Sequence, residues 1–211
     1  MPSANIRVRG DWTRPDPSLL DAFRTRSVAN LGDAMDRLGI VDGGIEPIWE
    51  GARAVGSALP VLTVAGDNLA VIEALEHIRP GDILMINAFG YNGRAIMGDN
   101  LAQRFEHFGA TGAVLDGYAR DRSIIRDLGF PVFARGLTPA GPFKHGPGTI
   151  GEPVAIGGVV VNAGDIVVAD DDGVIVIPVE RAPEVLAEVV KIEELEASKD
   201  AEVAAMRGRS T

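Results

Sequence analysis

Cysteine is absent from the chain, which excludes disulfides, thiolate metal sites and thiol nucleophiles together. Aromatic residues make up only 5%, so the core has to be built from Val, Ile, Leu and Ala. Lysine occurs three times, at Lys144, Lys191 and Lys199. A Schiff-base mechanism needs a desolvated lysine; two of these fall on a charged C-terminal segment, and Lys144 lies in a solvated Gly/Pro-rich stretch. No apolar run approaches the ~20 residues of a spanning helix, and the N-terminal MPSANIRVRGDW carries no apolar run. A soluble, cytoplasmic protein is the expectation. Positive charge is also scarce: 20 basic residues face 30 acidic ones, a formal charge of -10. Such a surface repels phosphate backbones and anionic headgroups, which argues against nucleic-acid and membrane partners.

What the chain does contain is 46% hydrophobic residues over 211 positions, enough for a full-sized core. Asp16-Pro17 reads as a helix start with Asp16 as N-cap. A second helix is expected from Ser27 through Leu31, Met35 and Leu38, stopped by Gly39. Arg53 to Ala65 reads as extended, with Pro60 suggesting an edge or a bulge. Gly66-Asp67-Asn68 is placed to cap a helix with apolar positions Leu69, Ile72, Leu75 and Ile78, and Asp82 to Ala88 is a short apolar strand. Asp99 is placed to cap a helix through Phe105 and Phe108, followed by a strand at Gly112 to Leu115. A helix from Arg122 to Leu128 and a strand at Pro131 to Arg135 complete an alternation that argues for an α/β layered core with parallel pairing.

Beyond Gly136 the texture turns to Gly and Pro, then to three β-rich runs between Val154 and Ile177 with hairpin turns expected at Asn162 to Asp165 and Asp170 to Gly173. Pro178 to Met206 reads as a charged helix with an apolar stripe at Val185, Val189, Ile192 and Leu195, long enough to pack on a neighbouring subunit. The chain is read as one domain, with a helical part at 1–50, an α/β core at 51–178 and a C-terminal helix at 179–211. The pentapeptide GDNLA occurs at Gly66 and again at Gly98; two copies do not make a repeat protein.

Most candidate motifs fail on context. Gly146 to Gly151 spells G-x-G-x-x-G but is preceded by a loop and followed by Glu152-Pro153, not by the strand and helix a dinucleotide fold needs. Asp170 to Asp172 lacks the closing glutamate of a calcium loop. His77, His107 and His145 lie on three separate elements without metal-ligand spacing, and only His145, in a loop, is placed to touch a substrate. Asp99 and the pair Arg120-Asp121 remain. Asp99 serves equally as an N-cap or as an acidic ligand, and Arg120-Asp121 equally as a surface ion pair or as a cation site with an anion clamp.

At these residues the sequence resembles the class II pyruvate aldolases that act on 4-hydroxy-4-methyl-2-oxoglutarate and 4-carboxy-4-hydroxy-2-oxoadipate. Their superfamily also holds the regulator of ribonuclease activity A and proteins once labelled demethylmenaquinone methyltransferases. The likeness runs through GDNLAVIEAL, RPGDIL, MGDNLA, LDGYARD, FPVFARG and GDIVVADDDGVIVIP, and its most specific element is Asp-x20-Arg-Asp, met by Asp99, Arg120 and Asp121.

The resemblance implies an α-β-β-α sandwich of the swivelling β/β/α type with a long C-terminal helix, and retro-aldol cleavage of a 4-hydroxy-2-oxo diacid to pyruvate, with oxaloacetate decarboxylation as a side activity. It implies a divalent cation, Mg2+ or Mn2+, on Asp121, with Asp99 holding water on that cation and Arg120 binding the 2-oxo acid. The substrate carboxylate is implied to sit on backbone amides of the Gly98, Asn100 and Leu101 segment. Some family members carry another acid where this chain has Ile124, and some draw a glutamate from a neighbour's C-terminal helix, for which Glu193, Glu194 and Glu196 are available. That geometry implies a homotrimer or homohexamer with sites at subunit interfaces. The competing expectation is a non-catalytic regulator that docks on an RNA-processing enzyme.

Overall fold

β3 (Ala54–Thr63), ten residues with nine of them buried, joins the two halves of the fold. In the computed structural model of the chain, residues 5–208 are described; the first four and last three positions of the domain expected at 1–211 lie outside them. Before β3 come β1 (Ile6–Val8), α1 (Pro17–Asp21), α2 (Val28–Ala34) and β2 (Glu46–Pro47). After it run α3 (Leu69–Glu73), β4 (Asp82–Asn87), β5 (Ala95–Met97), α4 (Asp99–His107), β6 (Gly112–Ala119), α5 (Arg122–Leu128) and β7 (Val132–Leu137). The chain finishes with β8 (Gly148–Ile150), β9 (Val154–Ile156), β10 (Val159–Val161), β11 (Ile166–Asp170), β12 (Gly173–Ile177) and α6 (Ala182–Gly208).

Strands β3, β4, β6 and β7 pair in parallel in that order, each joined to the next by a helical crossover. Residues alternate between two buried faces, as parallel strands with both sides covered require. Leu84, Ile86 and Leu115 face the layer of α3, α4 and α5. Ile83, Met85 and Val114 face a second β layer with Val161, Val167 and Val176. The far side of that layer, Ile166, Val168, Ile175 and Ile177, is covered by Leu20, Phe23, Leu31 and Met35 of the N-terminal helical region and by Val185 and Val189 of α6. The result is the expected α-β-β-α layering with a long C-terminal helix.

Pro60 is neither at an edge nor at a bulge. It pairs with Met85 inside the sheet, and its carbonyl accepts from Gly151 N–H at 2.9 Å. On that side β3 pairs with β11 over Ala54 to Ser57 and with β8 over Val61 to Thr63. The missing N–H of Pro60 therefore faces the seam between two partners, where no ladder bond is required.

Asp16 caps α1 as expected, accepting from Ser18 N–H at 2.8 Å. Ser27 caps α2, but that helix ends at Ala34, before Gly39: Asp36 and Arg37 both take positive φ, and Leu38 is turned out to solvent. Asn68 is at the N-cap position of α3 without capping it; its Nδ2 donates to the Ile96 carbonyl at 3.0 Å, and Asp67 Oδ1 takes the Leu69 N–H instead. The Asn162 to Asp165 turn links β10 to β11, which do not pair. The hairpin here is β9–β10, turned at Gly157-Gly158, both at positive φ. Of the α6 stripe, Val185 and Val189 are buried but Leu195 is 57% exposed. Among the described residues no helix is long and apolar enough to cross a membrane.

Candidate functional site

Two loaded turns leave the sheet side by side. β5 runs parallel to the end of β6, with Ala95 opposite Tyr118 and Met97 opposite Ala119, and Arg120 N–H donates to the Met97 carbonyl at 3.1 Å. One residue past Met97, Gly98 starts α4; one residue past Arg120, Asp121 starts α5. Both helices thus begin at the carboxyl ends of adjacent parallel strands, where α/β sheets open their ligand crevices.

Gly98 has extended backbone angles, φ -144 and ψ -162, that any residue adopts. What requires glycine is space: a Cβ there would lie 3.0 Å from Arg120 Cγ, 3.1 Å from Arg120 Nε and closer still to Asp121 Oδ2. The absent side chain lets the Arg120-Asp121 pair close over the start of α4. Asp121 sits in the left-handed region at φ 61 and ψ 34, and its side chain caps nothing on its own helix. Its Oδ2 instead faces Arg120 Nε at 3.2 Å and Asp99 N–H at a loose 3.4 Å. Aspartate is among the few residues besides glycine that take up that region as single residues.

Asp99 is not the cap of α4; Gly98 holds that position and Asp99 is the first helical residue. Its carboxylate forms no hydrogen bond or ion pair with another described residue. Asn100 and Leu101 follow in the first turn, where N–H groups have no intrahelical carbonyl to reach; the Met97 carbonyl, the natural partner of Leu101, is turned toward Arg120. Free donors and the positive helix end together favour an anion.

A cavity of about 330 Å3 opens at this point, lined by Gly98, Asp99, Asn100, Leu101 and Arg120. Asp121 lines a neighbouring hollow with Thr138, and Arg120 forms the wall between the two. The larger cavity is also lined by Asn68, Arg104 and Lys144. The segment bearing Lys144 crosses it as a strap: Arg94 Nη1 donates to the Gly141 carbonyl at 2.6 Å, and the Arg94 guanidinium stacks 3.9 Å over the Phe143 ring. Asp67, 2% exposed, fixes the far end of the strap, accepting from His145 N–H at 2.6 Å and Gly146 N–H at 3.1 Å. The two GDNLA segments therefore flank one cavity, the first anchoring its cover and the second forming its floor.

His145 stacks on Phe143 with ring centroids 5.8 Å apart and is not among the cavity-lining residues. Ile124 is exposed on α5. On α6, Glu193 pairs with Arg26 and Glu196 accepts from Asn30 at 2.7 Å within the same chain; Glu194 alone of the three has no partner among the described residues. Sequence reasoning passed over Asp67 and Arg104. The duplicated GDNLA signals the first, and the i, i+4 spacing from Asn100, which puts Arg104 on the same helix face, signals the second.

Among the described residues no three His, Asp or Glu side chains gather as a metal cage. Asp121 is the carboxylate at this turn, and Asp99 is the carboxylate of the adjoining cavity. Such a sparse oxygen set fits a hard cation that keeps most of its water and does not fit a dehydrated, fully protein-ligated ion.

Residues 28–176 match the family described as RraA-like, Aldolase/RraA. A protein of Halalkalibacterium halodurans, provisionally named a 4-hydroxy-4-methyl-2-oxoglutarate aldolase, is 40% identical over 169 residues, covering 80% of each chain. A Thermus thermophilus protein named 4-hydroxy-4-methyl-2-oxoglutarate aldolase is 32% identical over 117 residues, covering 56% of this chain and 71% of its own. Among solved structures, Streptomyces coelicolor RraAS2, described as an unusual member of the RNase ES inhibitor RraA family, is 31% identical with a TM-score of 0.81, covering 90% of this chain and 99% of its own.

Proposed function

The chain belongs to the RraA-like Aldolase/RraA family, and from that premise we propose that it is a metal-dependent aldolase releasing pyruvate from a 4-hydroxy-2-oxo diacid. The observation that carries this reading is the close approach of Arg120 and Asp121 to Gly98, which a single methyl group would block. A protein that only docks on a partner gains nothing from that approach.

The substrate's 2-oxo carboxylate sits on the free N–H groups of Asn100 and Leu101 at the positive end of α4. Arg120 holds the 2-oxo end by charge-assisted hydrogen bonds and stays beside it as negative charge grows there. Mg2+ or Mn2+ held by Asp121 would add Lewis-acid stabilisation of the developing enolate. The 4-hydroxyl proton passes through water to the uncommitted Asp99 carboxylate as the C3–C4 bond breaks. The bonding electrons become the C2–C3 double bond of pyruvate enolate, and Asp99 returns a proton to C3 to complete pyruvate. Loss of carbon dioxide from oxaloacetate gives the same enolate, so decarboxylation accompanies the main activity. The reading includes a homotrimer or homohexamer in which the exposed outer half of α6 packs on a neighbour.

The test is pyruvate release from 4-hydroxy-4-methyl-2-oxoglutarate, followed through lactate dehydrogenase, with Mg2+ and then with excess EDTA. Metal-dependent release is expected; its absence from every 4-hydroxy-2-oxo diacid tried would sink the proposal. The likeness to RraAS2 favours one second reading, a regulator of an RNA-processing enzyme. That reading predicts inhibition of a ribonuclease by the chain and no turnover.

A further inference from the structure

Most arginines of this acidic chain are paired with carboxylates of their own fold: Arg14 with Asp82, Arg26 with Glu193, Arg53 with Asp170 and Arg135 with Asp42 and Asp116. Arg104 and Lys144 are exceptions, with no side-chain hydrogen bond or ion pair among the described residues. Yet both line one cavity, on a chain whose formal charge is -10. The carboxylate of that cavity, Asp99, makes an ion pair with neither.

Their placement is also ordered. Arg104 lies four residues beyond Asn100, about 6 Å further along the same face of α4. Lys144 is brought over that face by the strap whose backbone is tied to the buried Asp67 and to Arg94. Two cations that are unpaired in the protein, one on the floor and one on the cover, make a site for an anionic group of a ligand. We propose that Arg104 and Lys144 form the subsite that reads the second carboxylate of the substrate, making them its specificity-determining residues. This rests on the 2-oxo acid reading of the cavity: a molecule whose first carboxylate occupies the start of α4 extends its distal end toward Arg104. Lys144 is not a Schiff-base nucleophile here; it acts as a cation, and the strap sets how far from the 2-oxo group that cation stands.

The experiment measures binding by calorimetry of two unreactive probes, 2-oxoglutarate and 2-oxovalerate, which differ only in a terminal carboxylate against a methyl group. It uses the full chain with Mg2+, the wild type, Arg104→Gln, Lys144→Gln and the double variant. The wild type is expected to prefer 2-oxoglutarate by about tenfold or more, a modest factor because both cations are solvent-exposed. The double variant is expected to lose most of that preference while binding 2-oxovalerate as the wild type does. An unchanged preference in the double variant, or no preference in the wild type, overturns the subsite. Pyruvate release measured alongside separates the two readings. Selective binding without turnover leaves the subsite standing and removes the aldolase, whereas turnover with an unaltered preference in the double variant removes the subsite alone.

Discussion

Replacing Gly98 with Ala isolates the chemistry of the site from its folding. At φ -144 and ψ -162 alanine is unstrained, and the loss of glycine's freedom in the unfolded chain favours folding by about 0.4–1 kcal/mol. The added methyl group, however, overlaps Asp121 Oδ2 and crowds Arg120 Cγ at 3.0 Å and Nε at 3.1 Å. Relief requires the pair to swing outward. The pair is accessible enough to do so, with side chains 43% and 31% exposed, and an ion pair in that setting contributes only about 0–1 kcal/mol. Folding stability should therefore stay within about 1 kcal/mol of wild type, read by urea titration. Catalysis should not: the two groups assigned to the 2-oxo acid and the cation move by on the order of 1 Å, which costs about 100-fold in turnover. Gly43→Ala is the matched control, because a Cβ there meets nothing within 4 Å. If Gly98→Ala released pyruvate within a few-fold of wild type, the close approach would have no part in the reaction. If it unfolded the protein, the strain would not be confined to the site.

Arg135→Met should destabilise the fold by about 2 kcal/mol in urea titration, because it strips Asp116, 14% exposed, of a 2.5 Å partner and unties Asp42 from β7; no change would mean the bridge is incidental. Asp67→Ala should speed deuterium uptake at residues 141–146 and raise KM more than it lowers kcat, since it frees three N–H groups including those of His145 and Gly146; a pure kcat effect would place Asp67 in the chemistry. Asp165 is held above the usual carboxylate range, first by burial and further by the charge of Glu180. The folded chain then binds that proton more tightly than the unfolded chain does, so the group's contribution is largest at low pH and is lost as pH rises from the ordinary carboxylate pKa through the raised one. Asp165→Asn should accordingly gain stability relative to wild type as pH rises above the ordinary carboxylate range, and a difference that is flat with pH would refute the assignment.

How far the sequence could be read depended on whether a residue's fate was decided locally. Asp16 and Ser27 act as helix starts, and α5 runs from Arg122 to Leu128 as expected, because these features are decided within three or four residues. Parallel pairing in an α/β core was legible through the alternation of apolar runs with helices; the order β3, β4, β6, β7 was not. Pro60 was misjudged because its tolerance comes from two strands far along the chain, β8 and β11, whose seam it faces. Leu38 reads as helix by period but is released when Asp36 and Arg37 turn left-handed. At the site, the residues of Gly98 to Asp121 could be proposed in advance. Which of them meet could not, since the contact between Gly98 and Asp121 is set by the lateral pairing of β5 with β6. Asp99 looked like a cap because its residue type is a good one; its neighbour's lack of a side chain took that position.

The left-handed backbone at Asp121 has a consequence for how this site can change over generations. Asp, Asn and Gly are the residues that visit such a conformation readily. Glutamate, chemically the nearest substitute for a cation ligand, would carry the backbone penalty as well as a longer reach. The short mutational routes away from Asp121 that keep the turn are thus Asn and Gly, which both discard the charge. On the proposed reading, a lineage can lose the cation site in one step without disturbing the fold, but it cannot readily drift to a different carboxylate and back. If Asp121 holds the cation as proposed, replacement by Asn or Gly would separate the architecture of this turn from its chemistry.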